Sequence, residues 1–319
     1  MPSTLVILGT GGTIAGTARN PLDNVGYTAA QRSVADLVAA VPALGGRPLE
    51  LQQVAQLDSK DMDTATWRAL AQAVAQQLAR PEVGGVVITH GTDTLEETAA
   101  FLQAVLAPAK PVVLTAAMRP ATALLTDGPQ NLLDAVALAD DPQAAGVLVA
   151  FGGQVHAAMQ VRKVHSYRLD AFASAEGGPL ALLEEGRVRW LQPLPPSAPA
   201  LGLAAVPADD AGWPWVQIVT SHAGADGRAV QALLAAGVRG LVVAGTGNGT
   251  VHRALQAALD EAQQRGVAVW RCTRCAGGRI VGARPEDSGP AAAMTPWQAR
   301  VLLQLALLSA PARRSGDGG

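Results

Sequence analysis

The sequence predicts a two-domain α/β protein, with a larger N-terminal domain built on a mainly parallel sheet and a smaller C-terminal α/β domain. Three observations carry this prediction. The chain has 319 residues, 49% of them hydrophobic, enough for two modest cores. Short β-branched runs alternate with longer segments of helical period, which is the pattern of α/β layering. A stretch rich in Pro and Ala and poor in periodicity, from Gln192 to Pro214, interrupts that alternation.

In chain order, Thr4–Leu8, Gly85–Thr89, Pro111–Thr115 and Gly146–Phe151 read as strands buried on both faces. Helices are predicted over Thr64–Ala79 and Leu95–Leu106, the second with Glu96 and Glu97 as first-turn acids. Beyond the interruption, strands are predicted at Trp215–Thr220, Gly240–Ala244 and Val267–Arg271. Helices are predicted at Gly227–Ala236, Val251–Arg265 and Pro296–Leu308. The domains are therefore drawn at 1–192 and 212–319, joined by a linker over 193–211.

A formal net charge of −2 offers no basic field for a polyanion, which argues against nucleic acid as a partner. No window is long and apolar enough for a spanning helix. Met1-Pro2-Ser3-Thr4 leads directly into Leu5-Val6-Ile7-Leu8 with no charged or cleavable leader, so a cytoplasmic location is expected. Cys272 and Cys275 form a Cys-x-x-Cys pair with no histidine or second cysteine pair nearby. They read as two reduced thiols at a strand end rather than half of a metal site. No metal or cofactor is expected.

Two polar clusters follow predicted strands, where α/β proteins place their ligand crevices. The first is Gly9-Thr10-Gly11-Gly12-Thr13-Ile14-Ala15-Gly16, whose spacing misses the dinucleotide fingerprint. It reads instead as a loop whose glycines expose backbone N–H groups and let Thr13 reach a substrate. The second is Thr89-His90-Gly91-Thr92-Asp93-Thr94, a hydroxyl beside a carboxylate among small residues, although Asp93 also reads as a helix N-cap. Lysine is scarce here, at Lys60, Lys110 and Lys163. Taken alone Lys163 reads as a surface residue. Joined to Thr92 and Asp93 it would complete a hydroxyl–carboxylate–amine array able to move a proton.

The segments GTGGTIAG, HGTDTLEETA and AAMRPATALLTDGPQNLLDAV resemble the two signature regions, and their follow-on segment, of bacterial L-asparaginases, closer to the type II branch. Other segments fit along nearly the whole chain. The resemblance implies hydrolysis of L-asparagine to L-aspartate and ammonia through an acyl-enzyme, and leaves glutamine open as a second substrate. It implies Thr13 as nucleophile, Tyr27 beside it, and Thr92, Asp93 and Lys163 as a second triad. Backbone groups of Gly12, Gly91 and Ala117 would line the site, with N–H groups near Thr92 and Ala117 meeting the oxyanion. Asp58, Ser59, Lys60 and Asp93 would hold the substrate's α-amino and α-carboxylate groups. Asn248 would reach across a subunit interface of a homotetramer, a pair of intimate dimers.

Two departures from the family pattern stand out. Asp58-Ser59-Lys60-Asp61-Met62 puts a cation after the serine, where the family usually has a neutral or acidic residue near the substrate ammonium. The region from Arg274 to Thr295 is short, and Glu286 is the nearest candidate for the glutamate that type II enzymes lend to a partner's tyrosine. Two rival readings use the same motifs. An amidotransferase subunit would carry an extra N-terminal domain ahead of the nucleophile loop. A non-catalytic amino-acid sensor would not need all five catalytic side chains.

Overall fold

A computed structural model of the chain describes residues 3–282 and 289–309. The described chain divides into two compact units, Met1–Ala200 and Leu201–Gly319. No helix among the described residues is long and apolar enough to cross a membrane.

The first unit is organised by an eight-stranded sheet. Its strands are β1 (Thr4–Gly11), β2 (Leu49–Leu57), β3 (Val83–Thr89), β4 (Val112–Thr115), β5 (Val147–Phe151), β6 (Gln154–Ala157), β9 (Ala181–Glu184) and β10 (Arg187–Trp190). A separate antiparallel pair joins β7 (Val161–Lys163) to β8 (Phe172–Ser174). The order in the large sheet is β10-β9-β6-β5-β4-β3-β1-β2. β2, β1, β3, β4 and β5 run parallel, and the rest of the sheet is antiparallel. The change of direction has a local cause. Gly152 and Gly153 both take positive φ between the paired Phe151 and Gln154, the geometry of a two-residue primed turn.

Helices α1 (Val34–Ala39), α2 (Thr64–Leu78), α3 (Leu95–Leu106) and α4 (Gly128–Ala139) connect the parallel strands. The central strands are apolar at almost every position because helices cover both faces. β2 is the exception, an exposed edge strand reading LELQQVAQL, whose polar residues hid it from a search for apolar runs. Trp67 of α2 stacks on Phe101 of α3 at 5.1 Å between ring centres.

From β1 the chain moves outward to β2, then returns past β1 to build β3, β4 and β5 on the other side. The winding thus reverses between β1 and β3. In a doubly wound sheet that reversal opens a crevice at the carboxyl ends of the two strands. Residues 10–13 and 89–93 leave the sheet there.

The second unit has a three-stranded parallel sheet, β11 (Val216–Thr220), β12 (Gly240–Gly245) and β13 (Ala268–Thr273). Alternation along β12 sends Leu241 and Val243 to the face packed by α5 (Arg228–Ala235) and α6 (Arg253–Gln264). Val242 packs on the opposite face with Cys272, Ala299 and Leu303, the last two from α7 (Pro296–Ser309). The period of two predicted for strands is what allows each face its own core. Cys272 is buried at the end of β13 and Cys275 is exposed; neither forms a disulfide.

Candidate active site

The nucleophile candidate sits where β1 gives way to a single 3₁₀ turn, Thr13–Ala15. Gly12 makes the transition with φ 79° and ψ −172°, a region open essentially to glycine alone. Its peptide is held on both sides, the N–H donating to Leu57 O at 2.9 Å and the carbonyl accepting from Ala30 N at 3.1 Å. A side chain on Gly12 would strike the backbone of Gly91 and His90, so the two motifs meet through bare backbone. Thr13 is buried, and its hydroxyl hydrogen-bonds the Tyr27 hydroxyl at 2.6 Å. Burial raises the pKa of Tyr27 above its usual value. The Thr13 bond works against that shift, and the Asp58 and Asp93 carboxylates add to it. The phenol is therefore neutral at pH 7, and both carboxylates lie within electrostatic reach of it.

The second motif leaves β3. Lys163, at the end of β7, donates from Nζ to Thr92 Oγ1 at 2.8 Å and to Asp93 Oδ1 at 2.6 Å. Because the ammonium occupies a lone pair of the Thr92 oxygen, the Thr92 proton is left to point elsewhere. Asp93 was also a candidate helix cap, and the structure corrects that reading. Thr94 holds the N-cap position of α3, and the Asp93 carboxylate turns to the lysine instead.

Ser59 lies in a 3₁₀ turn, Ser59–Asp61, that follows β2 and is capped by Asp58. Its hydroxyl oxygen accepts from Asp93 N at 3.1 Å, and its carbonyl accepts from Thr94 Oγ1 at 2.8 Å. A methyl group on Gly91 would collide with the same serine. Lys60 is mostly exposed. Its ammonium pairs with the Asp61 carboxylate and stands 4.0 Å from Asp58 Oδ2. The bond to Asp61 raises its pKa, with further help from Asp58 and Asp93. Ala117 is buried in the loop after β4.

Thr13, Tyr27, Gly12, Asp58, Ser59, Lys60, Gly91, Thr92, Asp93 and Lys163 are thus linked by these bonds, packing contacts and charge interactions. Asn248 belongs to the other unit. There its carboxamide is occupied in both directions by the backbone of Val281, donating to the carbonyl at 2.9 Å and accepting from the N–H at 2.7 Å. Glu286 lies outside the described residues. Among the described residues no group of three His, Cys, Asp or Glu side chains is placed to hold a metal ion.

Two supporting residues escape the sequence reading. Glu96, taken as a first-turn acid, is buried, and its carboxylate accepts the backbone N–H of Lys163 at 2.7 Å. An acidic residue inside the apolar stripe of a helix was the available signal. His90 is fully buried, with Nδ1 2.7 Å from Gly91 O and Nε2 3.0 Å from Thr98 Oγ1. Desolvation lowers its pKa to about 4, so the ring is neutral. A carbonyl can only accept, so Nδ1 carries the proton and Thr98 donates to Nε2. Thr98 in turn accepts from Trp67 Nε1 at 2.9 Å. This chain of polar groups fixes the peptide of Gly91 from beneath.

A half-buried hydroxyl pair beyond the end of β1 and a hydroxyl–ammonium–carboxylate array beyond the end of β3 suit acyl transfer from a small amide. Comparison with known proteins agrees. Residues 4–196 match the asparaginase N-terminal family model, and residues 215–314 match the glutaminase/asparaginase C-terminal domain. The chain is 35% identical to a glutaminase-asparaginase of Pseudomonas fluorescens biotype A over 96% of its own length and 86% of the relative's. It is 36% identical to L-asparaginase 2 of Escherichia coli K12, covering 95% of this chain and 88% of that one. A solved structure of a probable cytoplasmic L-asparaginase from Campylobacter jejuni superposes with a TM-score of 0.90 at 37% identity, covering 97% of this chain and 96% of that one. The chain is a member of the asparaginase family, a hydrolase acting on amides.

Proposed function

We propose that this protein hydrolyses L-asparagine to L-aspartate and ammonia, with Thr13 as nucleophile. The observation that carries the reading is the 2.6 Å bond between two hydroxyls, Thr13 and Tyr27, facing the Asp58 and Asp93 carboxylates. Thr13 Oγ1 attacks the side-chain carbonyl carbon. Tyr27, neutral before the reaction, takes the Thr13 proton as it hands its own to the departing nitrogen. The C–N bond breaks, ammonia leaves and a Thr13 ester remains. Water then attacks the ester, and the Thr13 hydroxyl is restored as aspartate departs.

In this reading Lys163 holds Thr92 with its proton directed at the reacting group or at the attacking water, and Asp93 holds Lys163. Backbone N–H groups near Thr92 and Ala117 meet the oxyanion. Asp58 and Asp93 attract the α-ammonium. Ser59 has already accepted from Asp93 N, so its own proton is available to the α-carboxylate. Asn248 serves from a neighbouring subunit of a homotetramer, and the enzyme works in the cytoplasm.

The test is ammonia release from asparagine and glutamine by purified protein, run beside Thr13→Ala. Turnover should fall by several orders of magnitude in the variant. Undiminished turnover would remove Thr13 from the mechanism.

A further inference from the structure

We propose that Asp127 is a positioning residue for the amide-cleaving reaction, acting through the backbone of residues 116–119. The inference rests on the function proposed above. Asp127 precedes α4 and forms no cap bond to that helix. Its carboxylate faces the loop after β4. Oδ2 accepts the N–H of Met118 at 2.9 Å, and Oδ1 accepts the N–H of Arg119 at 2.9 Å. Asn131, one turn along, donates to Asp127 Oδ2 at 3.2 Å and to Ala116 O at 2.9 Å, while its own oxygen accepts from Gly152 N at 3.2 Å. Residues 116, 118 and 119 are therefore gripped by two side chains. None of these bonds uses the N–H or the C=O of Ala117.

That pattern has a chemical consequence. A scissile carboxamide presents two N–H donors and a carbonyl, and both need partners inside a buried site. The Ala117 peptide offers an acceptor and a donor, and the grip on either side sets where they point. The cost is visible in Asp127 itself. Desolvation raises its pKa, although the bonds from Met118 and Arg119 and the nearby Arg119 charge oppose the shift. Arg119 is also anchored at its far end, with Nη1 donating to Tyr167 O at 2.8 Å and the guanidinium 4.1 Å from the Tyr167 ring centre. The Ala117 loop is thereby tied to the segment that follows Lys163.

The experiment compares wild type, Asp127→Asn and Asp127→Ala by steady-state ammonia release and by calorimetric binding of L-aspartate. Asparagine keeps one acceptor oxygen and turns an amide donor toward the other N–H. Displacement of a reacting partner by about 1 Å costs on the order of 10²-fold in rate. The expected order of kcat is therefore wild type, then Asn, then Ala, with Ala lowered about 10²-fold. The Kd for aspartate should change less than about threefold, because the ammonium and α-carboxylate are held elsewhere. A kcat within threefold of wild type in folded Asp127→Ala would overturn the proposal. So would an equal loss of aspartate binding and turnover, which marks a structural role. Should the alanine variant fail to fold, the asparagine variant decides on the same criteria. Wild type inactive on every amide would instead refute the proposed function.

Discussion

Acidification should destabilise this protein through two buried histidines well before its carboxylates are titrated out. His90 and His156 are both inaccessible to solvent, and burial lowers each pKa from 6.5 to about 4. Below pH 6.5 the unfolded chain takes up a proton at each site that the folded chain refuses until pH 4. The stabilisation is therefore complete above pH 6.5 and is lost as pH falls toward 4. At pH 5 the loss is about 2 kcal/mol per histidine, approaching about 3 kcal/mol near pH 4. That is a large part of a typical domain stability of about 5–15 kcal/mol. Asp127 and Asp134 act in the opposite sense, because burial raises their pKa values and protonation relieves them. A variant comparison separates the two effects. His156 Nδ1 bonds Ser174 Oγ at 2.8 Å while Nε2 is buried with no hydrogen-bond partner among the described residues, so His156→Gln removes a titrating ring with little loss of bonding. Urea unfolding at pH 7 and pH 5 should show a pH-dependent loss smaller by about 2 kcal/mol in the variant than in wild type. Equal losses in the two proteins would refute the assignment.

Three further outcomes follow from the site. Lys60→Gln should lower the KM for asparagine about two- to fivefold, the range of an exposed ion pair, while Asp61→Asn should raise it by freeing Lys60 toward Asp58; a KM that rises in the first variant and falls in the second would reverse the argument. Gly12→Ala should cost about 1–3 kcal/mol in backbone strain alone, with further loss from collision with Gly91, and should depress kcat far more than KM. Thermal melts and steady-state rates check both halves of that statement. Glu96→Ala should leave the buried Lys163 N–H without its acceptor, costing about 1–3 kcal/mol, and should lower kcat; Glu96→Gln keeps an acceptor oxygen and should recover most of it.

The elements built on local pattern were legible from residues alone. The parallel strands β1, β3, β4 and β5 of the first sheet, α3 and the three strands of the second unit announce themselves as β-branched runs or helical periods. The site motifs were legible too, since GTGGTIAG and HGTDTLEETA are contiguous and each follows an apolar strand. Elements whose burial depends on distant partners were not. β2 is a polar edge strand, and the β5–β6 and β9–β10 hairpins depend on which short strands pair across their two-residue positive-φ turns.

What the sequence by itself determined is which chemistry-bearing residue types stand together, because Thr13 and the Thr92–Asp93 pair each lie in a contiguous polar run after an apolar strand. What only the tertiary structure decided is how they are held. Lys163 reaches Thr92 and Asp93 from 71 and 70 residues away, and the acid that seats its backbone, Glu96, lies 67 residues off. Lys60, the cation out of place in the sequence, has its charge met by Asp61 beside it. The Lys163 contacts, unlike the neighbouring Lys60–Asp61 pair, join segments that only the folded chain brings together, which no local run of residues encodes.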